Sequence, residues 1–412
     1  MNIGSVIKYY RTKNNLTQQH LAEGICSISH LSKIESNTYI PHESTSEALL
    51  AKMGVQWNKE LAKYNLLQTR LGRFIDCALY YDLENMRMQY GQLTLENDYL
   101  QSTDLINQYE LFKFRFYIAE NDLAKAERQR VMLERLSGSF TAPENWLYRF
   151  FLSLHYSMSE KTETALKLLE NLDQGIQSIP QKFEGEYYYQ KARLLILRGQ
   201  YELSAHFTQL AVQFYQIHHN YIRLLHAQLL LAINYTRRNL LMQASSIYEV
   251  LKRNSYLTGQ HKLYKQTLYN YAELLKQTRN FAQARELLEE LRADKEIGPY
   301  LSKAVLVSSI EIALETEKDP EPDLADLKKL IREDEEGYFK IYATYFEKRI
   351  FSQPDLLAYS EEIMFPFFRK YGYINERIKV AFELAAHYQK EKNWEKALFF
   401  SSFNEWTGGE II

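Results

Sequence analysis

The chain has 412 residues, 46% of them hydrophobic, which supplies a sizeable core and excludes a disordered protein. Fifty Lys and Arg against 52 Asp and Glu leave a net charge of −2, so no global field draws the chain to nucleic acid and any such attraction must be local. Only Cys26 and Cys77 are present, without metal-type spacing, and no apolar run approaches a membrane span or a signal-peptide core. These features predict a protein of the reducing cytoplasm with no membrane partner. Gly (15) and Pro (8) are few, and apolar residues recur at three- and four-residue steps, so the predicted fold class is all-α.

In chain order, Ile3, Val6, Ile7 and Tyr10 form one apolar helical stripe, and Leu16, Leu21, Ile25, Leu31 and Ile34 continue a small core. Thr17 is the expected N-cap of a second helix that ends near Gly24. A third helix is expected to start at Ser27 to Ser29, where a hydroxyl caps it, and to run to about Ser36 before Asn37 ends it. The short connection is what a helix-turn-helix needs. Such a unit reads DNA when its second helix lies in the major groove with short polar side chains toward base edges. Ser27, Ser29, His30 and Lys33 are the outward candidates, and Ile28 is small enough to touch a thymine methyl. Gln18 and Arg11 are the candidates for phosphate contacts that set the angle of entry. The alternative is an ordinary helical hairpin whose polar residues are only solvated. Residues 1–60 hold six Lys and Arg against five Asp and Glu, so one copy should bind DNA weakly and two copies are expected to act together. Cys26, with no partner set for nucleophilic chemistry, is expected to be a buried small residue.

The stretch "LTQQHLAEGICSISHLSKIE" resembles the Xre-type helix-turn-helix family, whose hallmark is L-T-Q-x-x-L-A followed by I/L-S-K/R-I/W-E. Leu16, Thr17, Gln18, Leu21, Ala22, Leu31, Ser32, Lys33, Ile34 and Glu35 carry the match. The turn is about one residue shorter than the commonest form, and Cys26 stands where a turn glycine is frequent.

Farther along, "NDLAKAE" at Asn121, "RNLLMQA" at Arg238, "RNFAQARELLEEL" at Arg279 and "KNWEKAL" at Lys392 are variants of one segment. Small anchors at Ala126, Ala165, Ser204, Ala244, Ala284, Ala325, Ala358 and Ala397 give steps of about 40 residues, with Ala325 and Ala358 fitting poorly. Small residues precede several anchors (Ser153, Ala192, Ala232, Ala272, Ala385), and a tyrosine recurs after them (Tyr117, Tyr156, Tyr235, Tyr388). Small side chains let paired helices approach, and the ring fills the space toward the next pair. The pattern resembles tetratricopeptide (TPR) repeats over roughly residues 100 to 405. That resemblance implies a right-handed superhelix of helix pairs with an extended concave face for a peptide or protein. The repeats are expected to bury their faces on one another and not on the N-terminal unit. Polar residues placed near the inner face of successive first helices are Arg115, Arg193, Asn234, Asn270 and Glu273, with Tyr189 and His226 nearby.

An Xre-type unit at residues 1–65 followed by TPR-like repeats over 66–412 resembles the RNPP family of peptide-pheromone receptors of Gram-positive bacteria. "GICSISHLSKIESN" at Gly24 looks like that family's variant of the motif. The resemblance implies a quorum-sensing transcriptional regulator that forms a homodimer or higher homo-oligomer on a double-stranded DNA operator. A short signalling peptide, bound in the concave face, switches it. The family's use of asparagines for peptide contacts favours Asn234 and Asn270. In members of this length the repeats also bind a phosphorelay response regulator. The alternative function is therefore a Rap-like protein that inhibits or dephosphorylates such a regulator, and a third is an adaptor whose N-terminus only caps the array. No nucleophile elbow, phosphate loop or zinc motif appears, and His218, His219 and His226 lack a companion pattern, so neither catalysis, metal nor cofactor is expected.

Overall fold

A computed structural model describes residues 2–159, 161–174, 180–331 and 337–403. Among these residues every regular element is helical, and no helix is long and apolar enough to cross a membrane. Two compact units are present, residues 1–197 with 206–224 and residues 198–205 with 225–412.

The first unit opens with α1 (Ile3–Lys13), α2 (Gln18–Ala22), α3 (Ile28–Glu35) and α4 (Glu43–Lys52). The Thr17 side chain accepts from the His20 amide and the Ser27 side chain from the His30 amide, both at 3.1 Å, so hydroxyls start α2 and α3. Ile7, Leu21, Ala22, Leu31, Ile34, Leu49 and Leu50 close a small core around them. Cys26 is half-buried beside this core and not enclosed by it, because it lies in the turn between α2 and α3.

Helix pairs follow: α5 (Trp57–Tyr80) with α6 (Leu83–Thr94), the short α7 (Asn97–Leu100), α8 (Ile106–Ala119) with α9 (Leu123–Leu136), and α10 (Ala142–Met158) with α11 (Thr162–Gln174). Next come α12 (Glu184–Leu197) and α13 (Tyr201–Ile217), the latter belonging to this unit from residue 206 onward. The pairs thus begin at α5, ahead of residue 100. Helix α5 is continuous through residue 65: Trp57 packs on the small core, while Tyr64, Leu67, Leu71 and Phe74 belong to the array core. Val6 of α1 also belongs to the array core, and Tyr9 and Tyr10 pack against it. The repeats therefore do bury part of their surface on the N-terminal unit, because α1 has an apolar residue on each of two faces.

The second unit takes α14 (Tyr221–Arg237) from residue 225 onward and continues with α15 (Leu241–Leu257), α16 (His261–Gln277) and α17 (Phe281–Ala293), and α18 (Pro299–Glu315) and α19 (Glu321–Leu330). Helix α20 (Tyr338–Ile350) is followed by α21 (Leu356–Tyr359), a π-helical turn at Ser360–Met364 and α22 (Phe365–Lys370), then α23 (Ile374–Lys390) and α24 (Trp394–Ser401). First helices end on a left-handed residue, with φ of 62° at Tyr81, 59° at Asn121, Asn239 and Arg279, and 58° at Lys392. The next amide then reaches back five residues, as in Leu240 to the Tyr235 carbonyl at 2.8 Å and Asn280 to Leu275 at 2.8 Å. This is a helix stop that satisfies otherwise orphaned carbonyls, repeated pair after pair.

Ala126, Ala165, Ser204, Ala244, Ala284 and Ala397 are all buried, and so are Ser153, Ala192, Ala232, Ala272 and Ala385. Ala325 and Ala358 are exposed. In α19, Leu324 and Leu327 do the packing, one and two positions away from the expected anchor. Around Ala358 the second helix is broken: Pro366 has no N–H to give to the turn before it, and the chain passes through the π turn there. That break accounts for the poor repeat between about residues 300 and 365.

Candidate functional site

Two polar faces stand out, one on α3 and one lining a cavity in the second unit. On α3, Leu31, Ile34 and Glu35 face inward, while Ser29, Ser32, Lys33 and Ser36 are exposed at the i, i+3, i+4, i+7 spacing of one helical face. Ile28 is 48% exposed at the first turn. Ser27 is exposed but occupied as the cap, and His30 is half-buried with its ring edge-on to Tyr39, centroids 4.6 Å apart. Ser32 and Ser36 complete this face and were absent from the sequence candidates, although their spacing from Ser29 signals it.

The two phosphate candidates point elsewhere. Arg11 donates from Nε to Glu35 Oε1 at 2.6 Å, from Nη2 to Glu35 Oε2 at 2.9 Å and from Nη1 to the Leu16 carbonyl at 2.9 Å. Gln18 donates to Glu35 Oε2 at 2.8 Å. Glu35 is 6% exposed, so its charge needs these donors, and they make Arg11 the tie between α1 and α3 instead of a free phosphate ligand. The hydrogen bond to Glu35, with its charge, raises the Arg11 pKa further against the opposing effect of burial.

In the second unit a cavity of about 600 Å³ is lined mainly by the first helices α14, α16, α18, α20 and α23, with Tyr248 of α15 and Phe281 of α17. Asn270, Glu273 and Lys276 of α16, Ser308 and Glu311 of α18, Tyr338 of α20, and Asn375 and Lys379 of α23 face it. Lys276 Nζ reaches Glu273 at 2.8 Å and Glu311 at 2.6 Å, while Lys379 reaches the other oxygen of Glu311 at 2.5 Å. Ser308 donates to Glu273. Burial alone would lower the Lys276 pKa, but Glu273 and Glu311 outweigh it and hold the ammonium above its ordinary range. Burial likewise pushes the Glu311 carboxyl up, and the two lysines outweigh it and hold it below the usual range. Around them, Tyr338 donates to Glu376 at 3.3 Å and Tyr201 to Asn375 at 3.2 Å. A surface of this kind offers donors and acceptors to a ligand through exchangeable ion pairs.

Of the seven peptide candidates, Asn270 and Glu273 line this cavity. Asn270 is exposed and donates to the Gln266 carbonyl at 2.7 Å. Asn234 is fully buried in α14 and donates to the Leu230 carbonyl at 3.0 Å, a helix-interior bond. His226 is half-buried in the same helix and is not among the cavity's lining residues. The other three lie in the first unit. Arg115, 5% exposed, is paired with Glu186 at 2.7 Å, Tyr189 faces the Arg223 guanidinium at 5.4 Å, and the exposed Arg193 donates to Gln190 at 2.9 Å. Arg115 is thus sealed in the interior, because the carboxylate it neutralises is itself buried. Lys276, Glu311 and Lys379 were missed, although Glu273 with Lys276, Ser308 with Glu311, and Asn375 with Lys379 repeat a polar step of three or four residues that marks a solvated face of otherwise apolar helices.

The helix-turn-helix family HTH_3 matches residues 7–59. Nearly end to end, the chain is 21% identical over 400 residues to the transcriptional activator NprA of Geobacillus stearothermophilus, covering 92% of this chain and 97% of that protein. Among solved structures, the apo form of the quorum sensor NprR from B. thuringiensis is similar with a TM-score of 0.64 and 17% identity, over 82% of this chain and 98% of that one. NprR in complex with its cognate peptide NprX is similar with a TM-score of 0.58 and 17% identity, over 72% and 88%. At these identities the likeness is one of fold, and that fold is a helix-turn-helix followed by TPR-like helix pairs.

Proposed function

We propose that this protein is a cytoplasmic, peptide-switched transcriptional regulator without catalytic activity. Residues 1–65 serve as the DNA-reading part, with the Ser29, Ser32, Lys33 and Ser36 face of α3 in the major groove and Ile28 at its leading edge. Residues 66–412 serve as the receptor, taking a short unmodified peptide in the cavity around Asn270, Glu273 and Lys276. Two copies act together, since the small charge excess of the reader gives one copy little hold on phosphates.

The observation that carries the reading is the joint presence of a capped, solvent-facing helix in an HTH_3 unit and a polar cavity in the array. The cavity's volume lies in the range of ligand sites, and its amide and charged groups suit the backbone and ends of an extended chain. A peptide switches DNA binding only by preferring one of two arrangements, and a coupling of about 1–3 kcal/mol changes DNA affinity roughly 5- to 150-fold.

Calorimetry of the full chain against synthetic peptides of roughly five to eight residues, drawn from small reading frames beside its gene, tests this. Peptide affinity that DNA shifts by the same factor as the peptide shifts DNA affinity supports it, because the linkage is reciprocal. Failure of every such peptide, together with capture of a response regulator, would replace the switch by the phosphorelay alternative.

A further inference from the structure

Helix α1 is attached on both sides. Toward the reader, Gly4 sits so close to α3 that a Cβ there would lie 1.8 Å from the Ile34 carbonyl oxygen. Asn37 donates to Ser5 at 2.9 Å, and Arg11 closes on Glu35 as described above. Toward the array, Tyr10 donates to Glu60 Oε2 at 2.9 Å, and Tyr99 of α7 donates to the other oxygen, Oε1. Glu60, on α5, is 2% exposed. Around this contact the ring of Tyr9 is edge-on to Tyr99 at 5.7 Å, and Lys63 stands 4.1 Å over the Tyr99 ring while paired with Glu96 at 3.0 Å. Burial, then the facing carboxylate, holds the hydroxyls of Tyr10 and Tyr99 protonated far above their ordinary range.

We propose that Glu60 is a positioning residue for DNA reading: through Tyr10 and Tyr99 it fixes the angle at which α3 is presented by the array, and so the half-site spacing that two copies accept. A buried carboxylate is satisfied only while donors meet both its oxygens, and here the donors come from different elements, one on the reader and one on the array. Aromatic packing alone tolerates sliding, whereas two directional bonds to one group fix the orientation. Because α1 also holds α3, an angle set at Glu60 becomes an angle at the DNA. The inference rests on the reading of α3 as the DNA-contacting helix.

The test uses duplexes recovered from a random pool with the wild-type full chain, rebuilt as single half-sites and as pairs re-spaced by a few base pairs. Wild type should discriminate among spacings by about a hundredfold. Tyr10→Phe and Glu60→Gln should reduce that to under about tenfold while single half-site affinity stays within about twofold. Tyr64→Phe is the control, since it removes a 2.9 Å bond from the same helix to Asp104 on the array side alone, and it should leave spacing discrimination intact. Should Glu60→Gln fail to fold, Tyr10→Phe decides, because it keeps the ring and loses one hydroxyl. Unaltered discrimination in Tyr10→Phe, a matching loss of half-site affinity, or equal relaxation by Tyr64→Phe overturns the inference while leaving the α3 reading in place. A wild-type chain that binds none of the duplexes overturns both.

Discussion

Two charge clusters built to the same plan sit in the two units, one sealed from solvent and one open to a cavity. In the first, Glu186 lies between Arg115 and Arg223, each guanidinium at 2.7 Å, and none of the three is more than 5% exposed. In the second, Glu311 lies between Lys276 and Lys379, and all three line a cavity. Arginine suits the sealed cluster because its planar fork is weakly hydrated and stacks on rings: Arg223 stands 5.3 Å from the ring of Tyr81 and 5.4 Å from that of Tyr189. Lysine suits the open one, since a compact ammonium on a flexible stem can leave one carboxylate for another. Surroundings, not charge pattern, decide whether a cation–carboxylate–cation set is sealed in the interior or left accessible in a cavity.

The comparison breaks most visibly at Glu186. Glu186→Ala strands two buried guanidinium groups and should cost about 3–5 kcal/mol in denaturant unfolding of the full chain. A loss under about 1 kcal/mol would mean that water reaches the cluster and that it is not sealed. The same contrast exists within the reader, between Arg11 and Lys33. Arg11→Ala should cost about 1.5–3 kcal/mol by removing charge-assisted bonds from buried Glu35, with the salt dependence of DNA binding unchanged. Lys33→Ala should leave stability within about 0.5 kcal/mol and lower the salt slope by about one. A drop in slope for Arg11→Ala would return it to the phosphate contacts.

The open cluster should reveal itself through pH. Glu311 is held below its ordinary value of 4.5, so its contribution is present above that pH and lost as pH falls through the depressed value. Lys276 is held above its ordinary 10.5, so its contribution is present below that pH and lost as pH rises through the raised value. Between pH 4.5 and 10.5 the pair is at full strength, and below pH 4.5 the melting temperature of the wild type should fall more steeply than that of Glu311→Gln. Parallel acid limbs would show that the pair contributes nothing. The smallest effect on stability is expected at Asn270: Asn270→Ala should stay within about 0.5 kcal/mol in unfolding, yet weaken peptide binding by about 1–3 kcal/mol. Peptide affinity that ignores this change would move the site off α16.

The helical class, the Thr17 and Ser27 caps and the packing of Ala126, Ala165, Ala244 and Ala284 were all legible in the sequence. Each depends on residues within a turn or two of one another, and the small-residue step is a local signature of helix against helix. The pattern failed where the backbone itself departs from the α-helix, at Ala358 beside the π turn before Pro366. Residue type alone left Arg11 and Arg115 looking like free cations for a ligand, because their carboxylates lie 24 and 71 residues away, at Glu35 and Glu186. Val6 and Ile7 are adjacent in the sequence, yet one enters the array core and the other the core of the N-terminal unit. Sequence determined which residues turn inward on each helix, since periodicity is a property of the chain. Only the tertiary structure decided which inward residues meet, because burial and charge pairing are set by elements brought together from distant parts of the chain.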